Sequence, residues 1–326
     1  MVQNQHVVVL IDRGLLDGSA YVSKTAWQAL LDELGTSTIQ LRENRYDAVL
    51  HMVTAADGAA DFYGAINNVA RYESTAEAID KDKKLREAYM GHQRWFMIDN
   101  NCDDFNVKIA RAKDRVHYIL GKQHAGSSFY KKFLLKKSTI KQKTLSTVPI
   151  EIRNDQAFEE SQVIETFIKY NSTEGKVCES SVEKRGSNLA FTYVHKVTIE
   201  KHGQRYQKKR AISAADYIEL EQSKLSDMKT LVATRLVTID QGLYIIIDYY
   251  PEIDGQPMIC IIQINEEEHR RSGAGRINLP PYLQVERDIT DVEAFQPKTM
   301  ASLTYKINDF KDLSPSPSPT KPSPKK

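Results

Sequence analysis

Two regimes of hydrophobic patterning divide this chain. Up to about residue 121, short apolar runs alternate with longer stretches of helical periodicity; the runs are HVVVLID (6–12), YDAVLHMVT (46–54) and RWFMIDN (94–100). Continuous runs rich in β-branched residues are what strands buried on both faces look like. Between them, YVSKTAWQALLDELG predicts a helix capped by Asp17 or Ser19 and stopped by Gly35. A charged stretch from about Asn67 to Met90 predicts a second helix, and FNVKIARAKDRVHYILG, opened by Asp104 and ended by Gly121, a third. This β-α-β-α-β-α succession predicts a parallel sheet covered by helices.

From residue 122 the character changes. Lys131, Lys132, Lys136, Lys137, Lys141 and Lys143 fall in a stretch without one acid, FYKKFLLKKSTIKQK, which reads as a basic connector. Strand-like runs follow, among them SQVIETFIKY, LAFTYVHKVTIEK, KTLVATRLVTI and GLYIIIDYY, interrupted by one helical segment at about Ser213 to Leu225. About seven strands with short polar turns predict a closed or nearly closed antiparallel barrel, since closure removes exposed edges. The final SPSPSPTKPSPKK is too rich in proline and serine to pack a core and reads as disordered.

Composition narrows the classes of function. Over 326 residues, 45 basic and 43 acidic side chains leave a net charge of +2, which excludes coating of nucleic acid through a global positive field. Cys102, Cys178 and Cys260 lie far apart, without the spacing of a zinc site, as reduced thiols do. No apolar run approaches the roughly 20 residues of a membrane span, and the start lacks the pattern of a secretory signal. The expectation is a cytoplasmic protein with no DNA partner.

The words IDRGLLDGSAY (11–21), TAADGAADFY (54–63), NNVARYE (67–73) and MGHQRWFMIDN (90–100) resemble the P-loop NTPase domain of the TRPL translocation defect protein family. EKRGSNLAFTYVHKV, RAISAADY, ATRLVTIDQGLYIIIDYY and LPPYLQVERDIT resemble, in order and spacing, the CYTH or triphosphate tunnel domain that follows it there. The implied organisation is a partial P-loop NTPase-like domain at 1–125, a basic connector at 126–148, a CYTH-like barrel at 149–300 and a disordered tail at 301–326. By the resemblance, Asp12 is the strand-end carboxylate that holds Mg²⁺, Arg13 reaches a phosphate, and Arg71 in a helical lid neutralises transferred phosphate. Asp57 stands between a nucleotide contact and a turn carboxylate.

Both resembled sites are depleted. No GxxxxGK[ST] occurs, and only eleven residues precede Asp12, so the phosphate-cradling loop is missing from the sequence in hand. Mg²⁺ and GTP are therefore expected only if such a loop lies upstream; an internal start at Met1 is favoured over a degenerate domain. In the barrel, Gln162, Ile164 and Thr166 stand where the resembled enzymes carry Glu-x-Glu-x-Lys, leaving Lys184, Arg185 and Arg235 as tunnel anion-binding candidates. The resemblance then implies a nucleotide-binding-fold, phosphoinositide-binding protein of membrane-protein trafficking, without catalysis in this chain. Its partners are anionic phospholipid, held by Lys131, Lys132, Lys136 and Lys137, and a protein cargo or small GTPase, with peripheral placement on endosomal or other membranes. The rivals are a nucleotide kinase or triphosphatase, and a pseudo-enzyme subunit of a larger assembly.

Overall fold

A computed structural model describes residues 7–63, 73–102, 104–120, 130–136, 157–172, 175–187, 190–201, 204–264 and 277–307. The first unit holds helices α1 (Lys24–Glu33), α2 (Thr38–Glu43), α3 (Thr75–Tyr89) and α4 (Phe105–Ile119), with strands β1 (Val49–Met52) and β2 (Trp95–Ile98). Side-chain caps define the helix starts. Ser37 with Gln40 and Ser74 with Glu77 form capping boxes on α2 and α3, and Asp104 accepts from Asn106 and Val107 on α4. The cap of α1 is Ser23 rather than Asp17 or Ser19, because Leu15–Ala20 is a separate 3-10 turn.

β1 and β2 pair in parallel, Val49 opposite Trp95 and Met52 opposite Ile98. The strand expected at 6–12 does not form: Val7 to Ile11 are exposed, Val7 and Leu10 by more than 80%. The outer edge of β2 is already covered, because the Gln263 side chain accepts from Met97 N–H and donates to Trp95 C=O, each at 2.9 Å, imitating a neighbouring strand. Residues 7–11 pair neither with that edge nor with the outer edge of β1, and strand propensity without a partner yields no strand.

The second unit is a nine-stranded sheet with the order β11-β3-β10-β9-β8-β4-β5-β6-β7, antiparallel at every junction. Its strands are β3 (Tyr130–Leu135), β4 (Phe158–Phe167), β5 (Lys176–Ser187), β6 (Ala190–Lys201), β7 (Gln204–Ile212), β8 (Leu231–Asp240), β9 (Leu243–Tyr249), β10 (Met258–Gln263) and β11 (Val285–Asp288). The expected closed barrel is corrected to an open sheet, with β11 and β7 at its edges among the described residues. Edge strand β7 carries Lys208, Lys209 and Arg210, the kind of charge that discourages edge pairing. The expected connector is also corrected. Tyr130–Leu135 is a paired strand between β10 and β11, burying Leu134 in one apolar cluster and Leu135 in another. The hairpin of β8 and β9 turns on Gln241 and Gly242, both at positive φ (50° and 76°), as two-residue turns that match strand twist require.

Strand alternation gives the sheet two chemically distinct faces. On one, Leu236, Ile245, Ile247, Cys260 and Ile262 form a fully apolar layer. The other is a trough, apolar at both ends and charged in the middle. At one end Leu231, Ala233 and Ile259 pack against Phe295, Met300 and Tyr305 of the C-terminal segment. At the other, Val237 and Tyr244 pack against Leu16, Tyr89, Met90 and Trp95, so the first unit plugs the trough; the Trp95 and Tyr244 rings lie 4.5 Å apart.

The plug is locked at the corner between α3 and β2. Gly91 donates its N–H to Tyr244 Oη at 3.1 Å, and its carbonyl accepts from Arg185 Nη2 at 2.6 Å. Arg42, 3% exposed, forks onto Glu159 of β4 and also binds Glu43 and the Met90 carbonyl. Burial opposes ionisation of Glu43, but Arg185, Arg42 and His92 outweigh it and hold its carboxyl below the usual range. No helix of the described residues is long and apolar enough to cross a membrane.

Gly91 sits at φ 92°, and a Cβ there would lie 2.8–2.9 Å from the Glu159 carboxylate. Gly242, at φ 76°, has nothing within 4 Å of that position. Gly242→Ala should cost about 1 kcal/mol, the left-handed penalty alone. Gly91→Ala should cost at least about twice that, because a buried ion pair must also shift. Urea unfolding of the two variants checks the order; equal losses would deny the lock its role.

Candidate functional site

A cleft of ≈ 770 Å³ opens at the carboxyl ends of β1 and β2 and is walled on its far side by the β8–β9 turn. In open α/β sheets this is where ligands bind, because loops there are free to diverge from a rigid platform. The platform is tied from below. Lys108 of α4, 6% exposed, donates to the Val53 carbonyl and to Asn100 Oδ1, each at 2.6 Å. Asn100 Nδ2 in turn donates to the carbonyls of Thr54 and Asp57, at 2.7 and 2.6 Å. Burial lowers the Lys108 pKa, the price of placing an ammonium among carbonyls.

Three arginines line the cleft, Arg86 of α3 and Arg111 and Arg115 of α4; Arg115 is buried and donates Nη2 to the Ile264 carbonyl at 2.8 Å. Arg86 of α3 donates Nε to Asp82 at 2.5 Å and Nη2 to Asp57 at 2.6 Å. Asp82 also accepts from Thr54 N–H at 3.0 Å and lies 3.1 Å from His51 Nε2. Burial works against the charge on Asp82, yet His51, Arg86 and the Thr54 amide hold its pKa below the ordinary value. Arg111 of α4 donates Nη2 to Asp99 at 2.8 Å, while Nη1 reaches the carbonyls of Asp99 and Asn101, each at 3.4 Å. Among the described residues no group of three or more His, Cys, Asp or Glu could hold a metal ion; Asp57 and Asp99 each pair with an arginine.

The middle of the trough holds a smaller cavity of ≈ 110 Å³, whose charges are Lys132, Lys196 and Arg235 against Glu165, Glu183 and Asp248. Lys196 bridges Glu165, at 3.1 Å, and Glu183; Arg235 forks onto Asp248 at 2.6 and 2.7 Å. Burial opposes the charge on Glu183, but Lys196, Arg185 and Arg235 drive its pKa far down; Lys196 and Arg235 move up in response to their carboxylates. Lys209 of β7, opposite Lys196, adds a fourth cation to this cluster, and burial together with Lys196 pushes its pKa down to about 7.

The structure separates the residues nominated from sequence. Asp57 lines the cleft; Asp12 and Arg13 do not. Arg13 is at φ 71°, pairs loosely with Asp17 at 3.6 Å and has a 68% exposed side chain. Arg71 lies outside the described residues, as do Lys137 and residues 308–326 of the tail. Arg235 lies in the trough, whereas Arg185 binds the Gly91 carbonyl and Lys184 points to the outer face, its ammonium 4.2 Å from the Phe191 ring centroid. Lys131 pairs with Asp288 at 3.3 Å, Lys132 turns into the trough toward Gln296, and Lys136 is exposed. Sequence reasoning missed Arg86, Asp82, Arg111 and Asp99. The available signals were the i,i+4 spacing of Asp82 and Arg86, and Asp99 at the end of an apolar run.

Residues 2–104 match a family model described as an AAA domain. No curated protein matches the chain. Among solved structures, the chain is similar to the hypothetical protein NE1496 at 12% identity, covering 54% of this chain and 97% of that one, with a TM-score of 0.36. It is also similar to the PH1819 protein from Pyrococcus horikoshii OT3 at 13% identity, covering 48% and 96%, with a TM-score of 0.28.

The lowered pKa of Asp82 has a definite pH signature. Its unfolded form binds protons first, near pH 4, so its stabilisation is complete above that value and fades as pH falls through the lower folded pKa. Thermal unfolding between pH 7 and 2 should show stability falling below about pH 4. Asp82→Asn should be less stable at pH 7 and have a shallower acid slope; an unchanged slope would remove Asp82 from the network.

Proposed function

We propose that this protein binds a nucleotide in the cleft at the carboxyl ends of β1 and β2 and acts through binding rather than catalysis. The observation that carries this reading is the position of the cleft: it lies at the ends of the parallel pair, whose strands fall within the residues that match the AAA domain, with three arginines lining it. Gln162, Ile164 and Thr166, standing where the resembled enzymes carry Glu-x-Glu-x-Lys, support a non-hydrolytic role for the second unit. Kinship with TRPL translocation defect proteins, phosphoinositide recognition and a part in moving membrane proteins are the finer reading, supported by the sequence words alone.

GDP should bind the full chain with Kd on the order of 0.1 mM, about 5.5 kcal/mol, weak because no glycine-rich loop surrounds the phosphates. In methyl NMR the resonance of Met97, which lines the cleft, should shift on titration. Met300, buried beneath the C-terminal segment, should not. Absence of any shift up to several millimolar GDP, ADP or GTP would overturn the reading. The same protein should release no phosphate from tripolyphosphate with Mg²⁺ or Mn²⁺; release abolished by Arg235→Ala would contradict a purely binding role.

A further inference from the structure

Arg86 and Arg111, two of the three arginines of the cleft, each carry a carboxylate that solvent reaches and have a further partner besides it. Asp82, whose side chain is 6% exposed, fixes Arg86; Asp57, 44% exposed, covers it. Arg111 reaches the Asp99 and Asn101 carbonyls, and the Asp99 carboxylate, 33% exposed, covers it. Each covering carboxylate is open to water on its free side, so a dissolved anion can compete with it for the guanidinium. A phosphate offers the same guanidinium edge more charge and more acceptor oxygens.

We propose that Asp57 and Asp99 occupy the places of two phosphate groups, and that a diphosphate-bearing ligand displaces them to reach Arg86 and Arg111. The inference rests on the cleft reading above and adds to it the ligand's reacting chemistry and the residues that hold it. Displacement does not disturb the platform. The Asp57 backbone stays tied through its carbonyl to Asn100, and the Arg86 side chain stays tied to Asp82, so only one carboxylate arm swings. Arg111 keeps its two longer carbonyl contacts, at 3.4 Å, when the Asp99 carboxylate leaves, and the Asn101 N–H, which donates to that carboxylate at 3.0 Å, then donates to the ligand instead. No bond is made or broken; one set of charge-assisted hydrogen bonds replaces another.

Because the carboxylates compete with the ligand, removing their charge should strengthen binding. Inorganic pyrophosphate and GDP are titrated by calorimetry into the full chain, Asp57→Asn, Asp99→Asn, the double variant, and the double variant combined with Arg86→Gln. The double variant should bind pyrophosphate about tenfold more tightly than the parent, the sum of two exposed pairs of somewhat under 1 kcal/mol each. Adding Arg86→Gln should remove most of that gain. Asp80→Asn changes the net charge equally on the exposed side of α3, where Asp80 pairs with Lys84, and should leave affinity within twofold. Thermal unfolding of every variant verifies that it is folded, with Asp57→Ala and Asp99→Ala as substitutes for an asparagine that is not.

If GDP shifts Met97 and binds all variants equally, the exchange is wrong and the cleft reading stands. If Asp80→Asn strengthens binding as much as Asp57→Asn, the gain is a general field effect and the exchange is again wrong. If neither pyrophosphate nor any nucleotide binds the parent or the double variant, both readings fall together.

Discussion

The backbone of Gly91 is gripped by Tyr244 and Arg185, while Glu159 lies against it holding Arg42. Burying two guanidinium groups costs several kcal/mol each unless their partners are well placed. The carboxylates Glu159 and Glu43 and the carbonyls of Met90 and Gly91 offset that cost here. The consequence reaches both sites. Gly91 joins α3, which carries Arg86, to β2, whose end carries Asp99, so the geometry of the cleft is set by contacts with the large sheet. The same contacts close one end of the trough. The two units are thus mechanically one object although their patterns of secondary structure are unrelated.

Within that frame the cleft and the trough show opposite uses of charge. In the trough the ions meet in a small, largely enclosed volume and complete one another, so attraction is spent internally. In the cleft Arg86 has one firm partner in Asp82, and both Arg86 and Arg111 have a carboxylate that water already contests. A binding site differs from a structural ion cluster in that asymmetry, and the depth of the second partner is what creates it.

Much of the fold could be read from local chemistry. Asp104 as a helix cap, the apolar strands at 49–52 and 95–98, and the long series of antiparallel strands all follow from periodicity and capping residues. Two errors have a common physical origin. Val7 to Ile11 has the composition of a buried strand, and FYKKFLLKK that of a basic surface segment. Which of them pairs is decided by free backbone edges far away in sequence: Gln263 covers the edge of β2, while β10 and β11 leave a place for β3. The candidate site was legible only at Asp57. Arg86 and Arg111 are ordinary helix arginines until the fold brings them to strand ends, and no short-range pattern records that. Arg185 shows the reverse case, a residue nominated for anion binding that the structure places on a carbonyl.

The paired charges of the trough also bear on how such an interior can change by substitution. Losing one of Lys196, Glu183 or Glu165 strands a buried charge, a loss of roughly 3 to 5 kcal/mol, whereas replacing a whole ion set by apolar groups of similar volume is often neutral or better. The favourable end state therefore lies beyond intermediates that most natural domains, with stabilities of about 5 to 15 kcal/mol, can scarcely tolerate. The paired charges of such an interior therefore protect one another against single substitutions, whether or not a ligand occupies it.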